Sequence, residues 1–335
     1  MLNRIITTAL ALALSVHIAA AESIKIGGSK IASGGAAYIA IEKGYFKAEG
    51  LDAQLVFFDS AQPIAVAVVS GDIDVGTTGL SAGFYNLAGQ GALRIIGAQG
   101  HESPGFHTIG YFVTKRAYES GLKSLRNLGG RTFGLGQFGT PGHYVLGATA
   151  EKYGVDLAQI HLVALQSNNN VISAMVGGQI DGTVTVLATG YVPLIDKGDI
   201  EVLGWVGDEM PFQDRAIFVA TRTANERGDM LQRFLRAYRK GAKDFHDAFT
   251  GADERPKDGP TATATVDLVA KWVEQSPAQV RGGIAYIDPE LRVNVVDVLR
   301  QIAWYKSQGM LKADVDGNQI IDSATSFRRL NYCAC

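Results

Sequence analysis

Apolar positions in the first third of the chain follow two different periods. Some short runs alternate apolar with polar residues, and the stretches between them place apolar residues every three or four positions. The first pattern predicts strands and the second predicts helices. Strands are predicted at 24–26, 54–58, 73–76 and 93–98, and helices at 36–43, 64–69 and 81–89. This strand–helix order predicts a mainly parallel α/β sheet.

The same order recurs between residues 122 and 206. Thr140-Pro141 opens a second set of helices, and proline suits the first turn of a helix because its missing N–H would be unpaired there anyway. Strands are predicted at 131–135, 161–165, 180–186 and 202–206. The chain therefore predicts two α/β units of about 90 residues each, repeated in architecture and not in sequence.

Beyond residue 229 the pattern becomes helical. Apolar residues recur at helical spacing over 231–245, 266–272 and 293–303, and a polar linker over 251–260 separates the first two stretches. Such stripes are typical of helices that pack one face on a core. We therefore expect helices appended to the two α/β units.

The first 21 residues have the parts of a cleavable export signal. Arg4 supplies an early cation, an apolar stretch follows, and Ala19-Ala20-Ala21 supplies small residues before the polar Glu22. The stretch is short for a membrane span, which needs about 20 apolar residues. We expect residues 1–21 to be a signal peptide cleaved after Ala21, which would leave the mature chain free in the periplasm.

Charge and cysteine content narrow the function classes. Lys and Arg total 31 and Asp and Glu total 33, a formal net charge of −2. A nucleic-acid binder would need a basic surface, so we expect no nucleic-acid partner. Cys333 and Cys335 are the only cysteines of the 335-residue chain. We favour an exposed tail of little consequence over a disulfide or a metal site, so core burial must stabilise the fold.

Polar loops follow the predicted strands. In open α/β sheets, ligands bind at the carboxyl ends of the strands, where loops lead into helix N-termini. Here those loops are rich in Ser, Thr, Asn, Gln and Gly and are almost free of acids. Hydroxyls, amides and helix N-termini suit an anionic or strongly polar small molecule. The loops are residues 29–35, 60–62, 77–79, 137–143, 167–169 and 187–189.

Motifs for catalysis, metals and cofactors are weak. Residues 134–139 match G-x-G-x-x-G, but the next strand ends in Gln166-Ser167 and not in the acid that would bind a ribose. We therefore favour an anion at a helix N-terminus and expect no cofactor. The histidines lack zinc-site spacings, and residues 314–318 begin like a calcium loop without its glycine and glutamate. The sequence thus predicts a protein that is not an enzyme and has no metal site.

Four segments resemble a known family. Residues 40–51, AIEKGYFKAEGL, resemble the EKGYFKxEGL signature of periplasmic substrate-binding proteins of ABC importers. The branch is the one that handles aliphatic sulfonates, taurine, nitrate and thiamine-pyrimidine precursors. SGDIDVG at 70–76, LKSLRNLGGR at 122–131 and GQIDG at 178–182 are similar to further segments of that branch. Their order and spacing cover about residues 24–221.

The resemblance implies the type II periplasmic binding fold. Two Rossmann-like lobes would be joined by a double chain crossover, with the C-terminal helices packed on lobe one. Lobe one would comprise residues 22–110 and 212–335, and lobe two residues 111–211. The implied function is the periplasmic solute-binding component of an ABC importer, which grips a small anion by hinge closure. Its implied partners are an inner-membrane permease and the ATPase of that permease, and the chain would be a monomer.

The resemblance also implies where the ligand binds. Lys30 would be either a counter-charge or a solvated lysine, and Arg215, near the second crossover, would either reach an anion or form a structural ion pair. Residues 187–189 replace a Trp-Asp-Pro-like segment of sulfonate binders. The full set of implied contacts is Ser29, Lys30, Gln62, Thr77, Thr78, Phe138, Gly139, Thr140, His143, Asn168, Thr189 and Arg215.

The ligand class remains open at this point. The candidates are a sulfonate, a nitrate-like or taurine-like anion, and an aromatic carboxylate. An aromatic ligand is included because several rings fall near the implied cleft: Phe106, Tyr111, Phe138, Tyr191 and Trp205. Two other functions are weighed, a ligand-presenting periplasmic sensor and a biosynthetic enzyme of the thiamine-pyrimidine type. Such an enzyme would be cytoplasmic with His or Cys in its cleft, so the export signal argues against it.

Overall fold

The chain forms two five-stranded sheets. The computed structural model describes residues 21–312 and 314–322, so the predicted signal segment up to Ala20 and the cysteine tail lie outside the described residues. The strands are β1 (Glu22–Gly28), β2 (Leu51–Phe57), β3 (Val75–Gly79), β4 (Leu93–Glu102), β5 (Ile109–Thr114), β6 (Thr132–Leu135), β7 (His161–Ala164), β8 (Gly182–Val186), β9 (Ile200–Trp205) and β10 (Phe212–Ala220). The sheet orders are β2-β1-β3-β10-β4 and β7-β6-β8-β5-β9.

Both sheets are mainly parallel, as expected, but each contains one strand that runs against the other four. β10 runs antiparallel to β3 and β4, and β5 runs antiparallel to β8 and β9. The pairs β1–β2, β1–β3, β6–β7 and β6–β8 are parallel. β5 and β10 each follow a segment in which the chain changes sheet. A strand that enters from the other sheet needs no crossover helix, so it can pair antiparallel with its neighbours.

The chain passes between the sheets twice. Residues 103–108 lead from β4 to β5, and residues 206–211 lead from β9 to β10. We call the sheet that contains β1 lobe one and the sheet that contains β5 lobe two, each with its own helices. This is the two-lobed α/β architecture that the resemblance implied. The residue boundaries at 110 and 211 stay a prediction.

Helices cover both sheets. None of the described helices is long and apolar enough to cross a bilayer. They are α1 (Gly35–Glu42), α2 (Tyr45–Ala48), α3 (Ala61–Ser70), α4 (Ala82–Gly89), α5 (Lys115–Glu119), α6 (Pro141–Lys152), α7 (Asn168–Val176), α8 (Val192–Asp196), α9 (Val206–Glu209), α10 (Thr221–Glu226), α11 (Gly228–Phe249), α12 (Ala262–Val273), α13 (Pro277–Arg281), α14 (Val295–Ser307) and α15 (Gly317–Ile320).

The C-terminal helices complete the core of lobe one. The apolar stripe of α11, which includes Leu231, Phe234 and Tyr238, is fully buried. At Gly241 a Cβ would lie 2.1 Å from the carbonyl oxygen of Ala36, so α11 packs directly on the backbone of α1. Burial of large apolar side chains is worth about 1.5–3 kcal/mol each, so this stripe holds α11 in place.

Helix α14 also contacts lobe two. The Trp304 ring lies edge-on to the rings of His143 and Tyr144 in α6, at centroid distances of 5.2 and 5.6 Å. It covers Gly147, where a Cβ would lie only 2.2 Å from Trp304 Cζ2. This last long helix therefore joins the two lobes beside the chain crossovers.

Candidate functional site

A cavity of about 250 Å³ lies between the lobes at the carboxyl ends of β3, β6 and β8. It is the place that the polar loops predict, because parallel strands of one sheet end at the same edge. Five of the predicted contacts line it: Ser29, Thr78, Thr140, Asn168 and Arg215.

Three helices begin at this cavity. Its lining includes Ala61 at the start of α3, Pro141 at the start of α6 and Asn168 at the start of α7. The free N–H groups of each first turn carry partial positive charge, which favours an anion. Gly142 brings α6 close to β8, since a Cβ there would lie 2.7 Å from the carbonyl oxygen of Val184.

Arg215 adds a full positive charge. On the neighbouring strands β3 and β4, Arg215 pairs with Gly79 and Gly100, which have no side chains and leave room for the guanidinium. The Arg215 side chain is only 12% exposed, and its Nε is buried without a hydrogen-bond partner in the described part of the chain. The carboxylate of Asp214 lies 3.9 Å from that Nε, beyond the usual length of a charge-assisted hydrogen bond. Arg215 thus lines the cavity and also has a weak ion-pair partner, and whether it contacts an anion stays a prediction.

Two buried acids at the cavity were missed in the sequence. A small cavity of about 20 Å³ adjoins the larger one and is lined by Glu102, Asp214, Arg215 and the predicted Thr189. Burial, with the charge of Asp214, raises the pKa of Glu102 to about 8. Burial also raises the pKa of Asp214, although Arg215 opposes that shift. The acids lie on the β4 and β10 strands and not in the loops, so the loops alone suggested an acid-free cleft.

Thr77 and His143 lie under the site and do not line it. The Thr77 hydroxyl donates to the carbonyl oxygen of Gly27 at 3.0 Å, which ties β3 to β1. His143 Nδ1 accepts a hydrogen bond of 3.1 Å from the backbone N–H of Gly139, and burial lowers the pKa of His143 to about 4. A neutral histidine therefore fixes the loop that carries Gly139 and Thr140.

The remaining predicted residues lie at the edge of the site. Lys30 forms an ion pair of 2.6 Å with Glu274. Gln62 is exposed on α3, and Phe138 is 53% exposed, with its ring 5.4 Å from that of His143. None of these three side chains lines either of the two cavities.

Most of the candidate aromatic residues belong to the core. Tyr111 and Tyr191 are fully buried, and the Tyr191 hydroxyl donates to Asn168 Oδ1 at 3.1 Å. Trp205 and Phe106 line a separate interlobe cavity of about 390 Å³, where the Trp205 ring stacks on His107 at 4.6 Å. Aromatic surface is therefore available near the crossovers and not at Arg215.

The two lobes touch on both sides of the ligand cavity. On one side, a Cβ at Gly79 would lie 2.9 Å from Pro141 Cγ, and Ala82 donates its backbone N–H to the carbonyl oxygen of Gly139 at 2.8 Å. On the other side, Gly283 packs against Ala188. Small residues at these contacts bring the two lobes close together on both sides of the cavity.

A larger cavity of about 440 Å³ lies beside the two crossover segments. Its charged residues have partners already, since Lys152 pairs with Glu209 at 3.1 Å and Arg300 lies 3.8 Å from Asp297. The 250 Å³ cavity, with its helix N-termini and Arg215, is therefore the stronger candidate for an anion site. Within the described residues no group of three or more His, Cys, Asp or Glu side chains could hold a metal ion.

Comparison with known proteins agrees with this architecture. The chain is similar to the periplasmic aliphatic sulphonate binding protein SsuA from Escherichia coli, with a TM-score of 0.72, 18% identity and coverage of 92% of this chain and 94% of that one. It is also similar to the periplasmic nitrate-binding protein NrtA from Synechocystis PCC 6803, with a TM-score of 0.66, 11% identity and coverage of 89% and 84%. At these identities the likeness shows a shared fold.

The sequence itself also has relatives. A binding protein of Brucella abortus is 26% identical over 170 residues, which are 48% of this chain and 49% of that protein, so the match spans about half of either length. The sequence pattern of the NMT1/THI5-like family matches residues 34–248, which include β5 to β9 and most of the site. These findings confirm the resemblance first seen at residues 40–51: the chain belongs to the NMT1/THI5-like family.

Proposed function

We propose that this protein is the periplasmic solute-binding component of an ABC importer and captures a small organic anion between its lobes by hinge closure. The observation that carries the proposal is Arg215, which lines an interlobe cavity where α3, α6 and α7 begin and whose buried Nε has no hydrogen-bond partner among the described residues. A buried N–H donor without an acceptor is costly, and an anionic ligand would supply the missing acceptor.

Two observations support a role in periplasmic transport. The two structural neighbours described above are named as periplasmic proteins that bind a sulphonate and a nitrate. The export signal expected at residues 1–21 would deliver this chain to the same compartment. An inner-membrane permease with its ATPase would then be the partner, and the protein would act as a monomer.

A thermal-shift screen of residues 22–335 tests the binding role. The panel holds alkyl sulfonates, nitrate, alkyl and aromatic carboxylates, amino acids and pyrimidines. A ligand at about 100 times its Kd should stabilise the fold by about 2.7 kcal/mol, a shift of several degrees in Tm. Stabilisation by one class of anion supports the proposal. Stabilisation by uncharged pyrimidines alone would contradict the anion site.

The Arg215→Gln variant tests where the anion binds. We expect at least a tenfold loss of affinity, because a charge-assisted hydrogen bond to a buried anion is worth about 1.5–3 kcal/mol. Arg116→Gln is the matched control, since its side chain is 67% exposed on lobe two. Equal affinity in the wild type and Arg215→Gln would place the anion elsewhere.

Binding without import in a reconstituted permease would favour the sensor alternative, and conversion of the bound solute would favour the enzyme.

A further inference from the structure

Arg215 lies where the pairing of β10 with β4 is irregular. Phe212 pairs with Glu102 and Arg215 pairs with Gly100, so β10 has one residue more than β4 between these two pairs. In the next step the extra residue belongs to β4, where Gln99 has no paired residue in the described register. Such bulges disrupt the hydrogen bonds between strands and change the direction of nearby side chains. The backbone of Arg215 therefore depends on hydrogen bonds from outside the regular ladder.

The direction of the Arg215 side chain depends on this backbone. Its Nε has no hydrogen-bond partner among the described residues, and the Asp214 carboxylate, at 3.9 Å, is a weak partner. These contacts of the guanidinium therefore do little to hold it in place. A residue that fixes the irregular part of β10 would also fix where the guanidinium lies.

The side chain of Gln213 spans the irregular part of the sheet. Its Nε2 donates to the carbonyl oxygen of Arg215 at 2.6 Å and to the carbonyl oxygen of Gly100 at 3.1 Å. Arg215 and Gly100 are the pair that separates the two extra residues. An amide NH2 group has two donors, so both are used here. One side chain therefore joins β10 to β4 at the point where their own pairing is irregular.

Helix α14 holds Gln213 in this position. The backbone N–H of Gln213 donates to Asp297 Oδ2 at 2.8 Å, and its carbonyl oxygen accepts from Gln301 Nε2 at 2.8 Å. Its Oε1 accepts from the backbone N–H of Asn294, the residue that caps α14, at 3.1 Å. Gln213 is fully buried, and its backbone and side-chain amides are all hydrogen-bonded. Helix α14 lies beyond residues 34–248, so this support is not part of the matched family pattern.

We infer that Gln213 is a positioning residue of the ligand site, which holds the backbone of Arg215 so that the guanidinium lines the interlobe cavity. This inference rests on the proposed function, in which Arg215 contacts the anion. Gln213 lines neither of the two cavities that Arg215 lines. It therefore acts through Arg215 and not on the bound anion.

A double-mutant cycle of Gln213→Met with Arg215→Gln tests this inference. Methionine fills a similar volume but cannot replace the hydrogen bonds of the amide. Titration calorimetry on residues 22–335 uses the anion that binds most tightly among ethanesulfonate, nitrate, propionate and benzoate. We expect Gln213→Met to weaken binding at least fivefold in the wild type and less than twofold in Arg215→Gln. A side chain that merely stabilised the sheet would weaken binding by the same factor in both backgrounds.

Thr114→Val is the matched control for lost stability. It removes a buried hydrogen bond at the far end of β5, where Thr114 Oγ1 accepts from the Ala117 N–H at 3.1 Å, so affinity should stay within twofold of the wild type. Melting of the unliganded variants checks that they fold. If Gln213→Met does not fold, Gln213→Glu keeps the acceptor for the Asn294 N–H and loses the donors, and the same fivefold loss is expected.

The outcomes separate this inference from the proposed function. Wild-type affinity in Gln213→Met, or an equal loss in both backgrounds, would overturn the inference and leave the proposed function intact. Wild-type affinity in Arg215→Gln would move the anion away from Arg215 and overturn the inference with it. Absence of binding by every anion of the thermal-shift panel would overturn both.

Discussion

Gly283 lies where lobe one meets lobe two, and a single added methyl group there should oppose closure. A Cβ at this position would lie 3.0 Å from Ala32 Cβ and 3.1 Å from Ala188 Cβ. Ala188 belongs to lobe two, and both neighbours are methyl groups with no rotamers to change. Relief of the contact with Ala188 therefore requires the backbone to move, and we expect the lobes to separate slightly.

The size of the effect follows from these distances. Extra methyl groups in well-packed regions cost about 1–3 kcal/mol. The clash with Ala188 exists only when the lobes are together, whereas the clash with Ala32 is internal to lobe one. If the added methyl group destabilises the closed arrangement by about 1–1.8 kcal/mol, the Kd of Gly283→Ala rises roughly 5- to 20-fold. Replacing glycine by alanine also removes about 0.4–1 kcal/mol of unfolded-state entropy, so the unliganded Tm should change little.

Titration calorimetry with the best ligand of the screen measures the loss, and X-ray scattering measures compaction on binding. Gly228→Ala is the matched control, because a Cβ at the start of α11 meets nothing within 4 Å. An affinity of Gly283→Ala within twofold of the wild type would refute closure through this contact. A fall in unliganded stability as large as the loss in binding free energy would assign the clash to Ala32 instead.

Three further outcomes are expected at the site. Thr78→Ala should weaken binding by about 1 kcal/mol with unchanged Tm, because its hydroxyl lines the cavity. Thr77→Ala should instead leave affinity unchanged and lower the free energy of unfolding by about 1–2 kcal/mol, since the carbonyl of Gly27 loses its donor. Similar losses of affinity in the two variants would contradict these separate roles. The folded state holds the Glu102 proton up to a pKa of about 8, whereas an unperturbed glutamate releases it near 4.5, so stability should fall by up to about 1.4 kcal/mol per pH unit between about pH 4.5 and 8. Glu102→Gln should flatten this slope in urea denaturation, and identical slopes would show that Glu102 is ionised in the fold.

The sequence predicted the lobes better than the strands that join them. Helix α3 begins at Ala61, three residues before the expected start at residue 64, which is an ordinary error at a helix end. The strands β5 and β10 were not predicted. β5 is buried along its whole length, so it shows no alternation, and β10 begins directly after a crossover. Periodicity cannot identify a strand whose two faces are both covered.

Several of the predicted polar loops line one interlobe cavity, but loop composition does not give the direction of each side chain. Thr77 and Thr78 are adjacent on β3, so they point to opposite faces of the sheet. Only Thr78 lines the ligand cavity, while Thr77 bonds to the neighbouring strand. Composition gives no register, and a shift of one residue exchanges a ligand contact for a structural one.

The acids were missed for a reason that also explains their position. Loop composition described the rim of the cleft, whereas Glu102 and Asp214 lie on the strands beside the two crossovers, where both lobes meet. Glu102 accepts its hydrogen bonds from Thr108 and Ile109, on the other side of the first crossover, and also faces the small cavity. A group bound in that cavity therefore touches a side chain that already ties β4 to β5. We therefore expect charge on the crossover strands to couple recognition of a ligand to the geometry of the hinge, which charge placed in the loops would not do.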